Sequence, residues 1–364
     1  MTRVAAVAAV TVLSLSGVGR QAEVRVQLDE PFAPRRTVCY RTASPLKIDG
    51  RLDDAGWTAA GWSEPFVDIE GRARPAPRFL TRVKMLWDDE FFYIAADMQE
   101  PHVWATLTER DSVIYHDNDF ELFIDPDGDT HDYYELEINA LNTVWDLLLV
   151  RPYRDGGPAV HAWDIAGLKT AVHVRGTLNT PADTDEGWSV EIAMPWRVLK
   201  EAAPDRRAPV AGDRWRVNFS RVEWQLEAKA GRYSPRRNDK GELVSEDNWV
   251  WSPQGAIAMH MPERWGYVQF SSANAGTRID PFVEDPDEAT RWTLRRLYYL
   301  QAEFREKNHR YARTLGELHA VGIPLAAVQL HATDDVYVMS APAARDGAVY
   351  LRQDGRVWVT PGRH

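Results

Sequence analysis

Between Thr37 and Ser272 the chain is a succession of short runs with strand character, each closed by turn residues. Val83–Trp87 and Phe91–Ala96 flank Asp88-Asp89-Glu90, and Phe120–Asp125 and Tyr133–Leu141 flank an Asp/Pro/Gly/Thr turn, so both pairs read as hairpins. Val144–Val150, Val172–Arg175, Trp188–Met194, Trp215–Glu223 and Tyr267–Phe270 are further strands. Helical spacing is scarce there, with Pro195–Glu201 the best stretch. Many short strands with turns between them predict a mainly β fold, an antiparallel β-sandwich of jelly-roll type.

With 364 residues, 44% of them apolar, the chain has material for one large β domain and an appendage. A net charge of −11 without a basic block argues against nucleic acid and anionic membrane, where Lys and Arg must neutralise phosphate. The single cysteine, Cys39, excludes an internal disulfide framework and a cysteine zinc cluster.

The ends differ from the middle. Arg3 followed by the uncharged run Val4–Gly19 reads as an export signal over residues 1–22, placing the protein in the periplasm or outside the cell; an uncleaved anchor is the alternative. No other membrane segment is expected. Residues 23–39 read as a linker, 40–272 as the β-sandwich and 280–364 as a small α+β unit. In that unit Asp285-Pro286-Asp287-Glu288 predicts a helix start with an Asp cap, Pro at the first position and Glu in a capping box. The helix runs to about Asn308, with strands at Val336–Ser340, Ala348–Leu351 and Val357–Thr360.

Period-two reading separates wet from dry faces. Trp188, Val190, Ile192 and Met194 share one face and Ser189 and Glu191 the other, an ordinary half-buried strand. In the second hairpin Tyr134, Leu136, Ile138 and Ala140 oppose Glu135, Glu137 and Asn139, while Phe120, Leu122 and Ile124 alternate with Asp119, Glu121 and Phe123. If the polar sides pair, Asp119, Glu121, Glu135 and Glu137 crowd one patch, and like charges across a ladder repel. Such a patch needs Arg side chains, a metal or a polar ligand; a solvated face with its charges apart is the other reading. Arg221 is the cation expected against it, unless it is a surface arginine.

Five blocks, in order, resemble family 9 carbohydrate-binding modules: Ser44–Trp57, with its Ile48-Asp49-Gly50 start, then Val83–Ile94, Asp119–Asp125, Gly187–Trp196 and Arg264–Phe270. The resemblance spans about residues 40–272. It implies a DOMON-like β-sandwich, usually exported, that holds a sugar between two Trp rings without cleaving it. The first Trp position falls on Tyr115, the hydroxyl-binding Glu on Glu121, and a neighbouring polar site on Asn118. The family's Arg falls on Glu137, so that contact is lost or replaced. The second Trp falls near Met259, with Trp249 and Trp251 just upstream. These departures bear on sugar specificity more than on fold.

Sugars need flat rings for their apolar face and planar polar partners for their hydroxyls. The expected binding residues are therefore Tyr115, Asn118, Glu121, Glu137, Asn139, Arg221 and a ring from the Trp249/Trp251 pair, which shares one strand face. Those two rings read equally as core, as do Trp57, Trp87, Trp188, Trp196 and Trp265. Asp125, Asp127 and Asp129 offer hard oxygens at alternate positions, as calcium loops do, although Leu136 stands where an EF-hand needs Glu. An Asp-rich turn is the alternative. The family resemblance adds structural calcium; no organic cofactor is expected. No nucleophile, zinc or nucleotide motif appears. The expected function is a non-catalytic binder of polysaccharide or oligosaccharide. A glycoside hydrolase using two of the carboxylates is the rival, and a haem-binding DOMON-like protein using Met259-His260-Met261 is a lesser one.

Overall fold

A computed structural model describes residues 32–361. The signal segment assigned to residues 1–22, and most of the linker, lie outside the described residues. Among the described residues no helix is long and apolar enough to cross a membrane.

The sandwich strands are, in chain order, β1 (Arg36–Arg41), β2 (Thr81–Trp87), β3 (Phe91–Gln99), β4 (Asp119–Asp125), β5 (Tyr133–Asn139), β6 (Val144–Leu149), β7 (Lys169–Arg175), β8 (Gly187–Pro195), β9 (Arg214–Glu223), β10 (Asp247–Val250) and β11 (Gly266–Asn274). They form one ladder in the order β6-β5-β4-β9-β11-β1-β2-β3-β8-β7. β11 pairs with Arg214–Val217 of β9, and β10 takes over at Ser220–Glu223. Neighbours are antiparallel except at β1, which lies parallel to both β11 and β2. The ladder folds back on itself. Phe120, Leu122 and Ile124 of β4 and Phe219 of β9 thereby share a core with Val83, Met85, Ile94, Val190 and Ile192 of the other layer. Alternation of apolar residues along each strand is what lets one face of each layer close on the other. The protein is an antiparallel-rich β-sandwich with a small C-terminal α+β unit.

Two local readings change. Strand β1 already begins at Arg36, inside the stretch read as linker. β8 is buried on both faces: Glu191 is 0% exposed rather than solvated. Its Oε2 accepts the backbone N–H groups of Asp49 (2.8 Å) and Gly50 (2.7 Å), so the Ile48-Asp49-Gly50 loop is tied to β8. Gly50 has φ of +82°, and a Cβ there would lie 2.5 Å from the Val172 carbonyl carbon. Only glycine fits that approach.

In the C-terminal unit α1 (Glu288–Asn308) packs on a meander of β12 (Gln329–Ala332), β13 (Tyr337–Pro342), β14 (Ala348–Arg352) and β15 (Val357–Thr360). The helix starts later than the Asp285 cap implied. Asp287 is its N-cap and makes no side-chain cap bond. The capping box occurs instead at Thr314 and Glu317. Arg295 of α1 is buried and donates to the Gly355 carbonyl at 2.6 Å. Tyr298 and Tyr299 donate to Asp155 and Glu263 of the sandwich, and Arg154 pairs with Glu263 at 2.9 Å.

Candidate functional site

The hairpin β4–β5 pairs Asp119 with Asn139, Glu121 with Glu137 and Phe123 with Glu135. The polar sides therefore face each other, and period two sends Phe120, Leu122, Leu136 and Ile138 to the core on the opposite side. The patch is not a solvated face. Asp119, Glu121, Glu135 and Glu137 are 0%, 6%, 5% and 2% exposed. Oxygens of Asp119, Glu121 and Glu137 lie within 4.8 Å of one another. Burial pushes the Glu121 carboxyl up to about 7. It pushes Asp119, Glu135 and Glu137 well above the carboxylate range, with the charge of Glu121 adding to it in each.

A loop from Thr106 to Asp117 lies over this face. Its backbone is pinned by Asp117, whose Oδ2 accepts the Thr106 and Leu107 N–H groups, each at 2.8 Å. The Tyr115 N–H donates to Glu137 Oε2 at 3.0 Å. Tyr115 remains 40% exposed at the lip of the patch. Tyr153, half-buried in the turn Tyr153–Asp155, lies near the same patch. Its phenol is raised by burial and then by the charges of Glu135 and Glu137. Across β9, Ser220 stands opposite Glu121. Its hydroxyl is near enough to favour the Glu121 carboxylate, yet it makes no hydrogen bond of ordinary geometry.

The structure brings Tyr115, Glu121 and Glu137 together and separates the other expected residues from them. Asn139 sits beside the patch with its amide already engaged. It donates to Leu107 O and Asp117 Oδ2 and accepts from Leu141 and Thr143 N–H. Asn118 is likewise structural, donating to Glu100 and accepting the Trp224 N–H at 2.8 Å. Arg221 does not face the patch. Ser220 occupies the patch side of β9, so Arg221, one residue on, points the other way. There it is wholly buried and pairs with Glu100 (2.7 Å) and Glu223 (2.8 Å). Trp249 and Trp251 are core rings, each 2% exposed. Trp249 packs beside Phe79 and under the Arg221 guanidinium, and Trp251 packs on Phe219. Neither presents a face to a ligand. The strand-face logic that paired them is equally satisfied by an interior face.

Tyr153 and Ser220 were missed. Ser220 was readable only with the β4–β9 register in hand. Nothing in the pattern around Tyr153 distinguishes it from an ordinary turn tyrosine.

The Asp125, Asp127 and Asp129 oxygens also lie within 4.8 Å of one another. They sit in the β4–β5 turn and serve its backbone. Asp125 accepts the Gly128 and Thr130 N–H groups, each at 2.9 Å, and Asp129 accepts that of His131 at 2.7 Å. Arg356 of the C-terminal unit pairs with Asp129 Oδ2 at 2.7 Å, so one of the three carboxylates is already engaged by a positive charge. The residues therefore match an Asp-rich turn docked on the C-terminal unit better than an open calcium loop. His260, of the Met-His-Met run, is half-buried with Nδ1 3.0 Å from the Tyr133 hydroxyl. Burial, with Arg154 nearby, lowers it to about 3.

Solved structures similar to this chain include the following three. Two are of a family 9 carbohydrate-binding module from Caldicellulosiruptor kristjanssonii, one in complex with cellotriose (17% identity, TM-score 0.41) and one with glucose (16%, 0.41). Each covers 67% of this chain and all of its own. The third is a carbohydrate-binding candidate from Bacteroides uniformis (16% identity, TM-score 0.47), covering 66% of this chain and all of its own. No curated protein matches. Residues 48–271 match the family described as carbohydrate family 9 binding domain-like, and that stretch holds the Ile48-Asp49-Gly50 loop, the β4–β5 face and most of strand β11. The chain belongs to the carbohydrate family 9 binding domain-like family.

Proposed function

We propose that the protein is an exported, non-catalytic carbohydrate-binding protein that engages a sugar at the β4–β5 face. The observation that carries this reading is Tyr115, 40% exposed and held at the lip of the Glu121–Glu137 patch by the bond from its own N–H to Glu137. An aromatic face beside carboxylate acceptors suits a pyranose, which is apolar on its C–H side and needs hydroxyl partners at its edge. Tyr115 stacks, Tyr153 stands near the patch, and Glu121 and Glu137 accept hydroxyls. Family membership supports the ligand class. The uncharged run after Arg3 supports export.

One observation favours hydrolysis instead. Glu121 and Glu137 oxygens lie within 4.8 Å, and Glu121 is lifted to about 7, as a general acid would be. A glycan array combined with reducing-sugar release separates the two. The panel is plant and bacterial polysaccharides, with glucose and cellotriose included. Binding without product is the expected result. Turnover that Glu121→Gln abolishes would establish the hydrolase.

A further inference from the structure

The polar groups at the junction between the sandwich and the C-terminal unit are mostly paired. Tyr298 donates to Asp155, Tyr299 donates to Glu263, Arg356 holds Asp129, and Arg154 pairs with both Glu263 and Asp155. The pairing stops at one cleft of about 520 Å³, between the turn Tyr153–Asp155 and the last turns of α1. Its volume falls in the ~300–1,000 Å³ range of small-ligand sites, which favour the joint between two packed units.

Five side chains line this cleft with their polar ends unspent. Among the described residues, no hydrogen bond or ion pair engages the Arg305 guanidinium, the His309 imidazole, the Tyr311 and Tyr337 hydroxyls or the Gln353 amide. Tyr311 and Tyr337 are otherwise buried, their rings edge to face at 4.7 Å. Burial holds the Tyr337 phenol well above its ordinary range, so it stays a donor. Arg305 stands over the Tyr311 ring, 4.5 Å from its centroid. That contact occupies the guanidinium face and fixes its direction, and the N–H edge stays open to a planar acceptor. Of the two acids in the lining, Asp155 is bonded to Arg154 and Tyr298, and Glu306 has a partner of its own. Arg305 is the guanidinium left without a carboxylate.

The geometry points to a second binding site, in the junction cleft, for a small carboxylate bearing several hydroxyls, of the uronic-acid class. Arg305 takes the carboxylate through two N–H donors, and the two phenols, the Gln353 amide and His309 meet the ring hydroxyls. A bare anion would use Arg305 and leave the other four groups unmet. A neutral sugar would meet those four and leave Arg305 unmet. Both units build the site: Arg154 and Asp155 wall it from the sandwich, and the five open groups come from the C-terminal unit. It does not rest on sugar binding at Tyr115.

The test is isothermal titration of the full chain with sodium galacturonate, galactose and sodium acetate. Galactose differs from galacturonate only in lacking the carboxylate at C6, and acetate carries the carboxylate without the ring. The expected result is saturable binding of galacturonate, at least ~10-fold tighter than either of the others. Arg305→Gln, at an exposed position, erases that preference while Tm stays within ~2 °C of the parent. Tyr115→Ala, at the β4–β5 face, retains the preference. Galactose or acetate binding as tightly as galacturonate overturns the site, as does a preference that survives Arg305→Gln. Loss of the preference in Tyr115→Ala also overturns it, because the carboxylate would then sit at the β4–β5 face. Failure of neutral glycans to bind leaves the preference readable, so the two sites are judged apart.

Discussion

The Trp57 indole Nε1 donates to Glu191 Oε1 at 2.6 Å, buried on the face of β8 that looks away from the inter-sheet core. The same carboxylate takes the Asp49 and Gly50 N–H groups through its other oxygen. One buried side chain of β8 thus fastens both the loop and the helical turn that precede β2. Two blocks of sequence more than 130 residues apart are joined by three hydrogen bonds to a single group. Glu191→Ala strands all three donors in the interior and is expected to cost ~3 kcal/mol or more. Glu191→Gln keeps both oxygen-side positions only in part and falls between. Urea unfolding of the two variants measures this, and a loss under ~1 kcal/mol for the alanine variant would contradict it.

Arg221 is predicted to matter for stability, not for ligand contact. Arg221→Ala leaves Glu100 and Glu223 buried and facing each other without their cation, a loss of ~3–5 kcal/mol. Thermal unfolding should show the loss directly. A variant of parental stability with sugar affinity selectively abolished would return Arg221 to the binding face.

His260 makes the sandwich sensitive to mild acid. Its folded value is about 3, below the ordinary ~6.5 of an unfolded histidine. The unfolded chain therefore takes up the proton first. The stability this group contributes is full above pH ~6.5 and declines as pH falls toward 3. Glu121, raised to about 7, acts in the opposite sense, favouring the folded state as pH falls through the same region. The difference between the parent and His260→Gln isolates the histidine. It should shrink steadily from pH 7 to pH 4, measured by urea unfolding at each pH. A difference independent of pH would show that His260 is not held neutral by burial.

Glu263 governs the junction with the C-terminal unit. It is lowered to about 2 even though burial opposes this, because Arg154 and Arg295 stand close and Arg154 and Tyr299 bond to it. Its contribution is full above the unfolded value near 4.5 and is lost as pH falls toward 2. Glu263→Gln weakens the contact between α1 and the sandwich at neutral pH. Faster proteolysis between residues 275 and 290 than in the parent is the expected outcome, and unchanged cleavage is the contrary one.

Most of the strands were legible because each buries one face, and alternation records that directly. β9 and the β4–β5 pair emerge within two residues of their observed bounds. β1 was not legible: its partners are both parallel and distant in sequence, and it shows neither a hairpin turn nor clean alternation. Glu191 was misread because period two cannot tell a carboxylate in water from one buried against N–H donors. The carboxylate face was legible as a conditional statement, and the register met the condition. Arg221 and the Trp249/Trp251 pair were assigned to the wrong side. A one-residue step along a strand reverses a side chain, and no single sequence reveals which face of a two-layered ladder looks inward. The Tyr153 approach depends on a turn packed from elsewhere in the chain, and it leaves no local trace.

The central claim is that a saccharide stacks on Tyr115 over the Glu121–Glu137 face. Tyr115 suits a direct test because its N–H and C=O hold Glu137 and Trp224 through the backbone, which a substitution retains. The measurement is isothermal titration of the parent and Tyr115→Ala against the polysaccharide panel, with Tm recorded for both. The predicted result is saturable binding to at least one glycan, weakened ~10-fold or more by the substitution, with Tm unchanged within ~2 °C. Equal affinity in the two proteins, or a folded parent that binds no glycan in the panel, would contradict it.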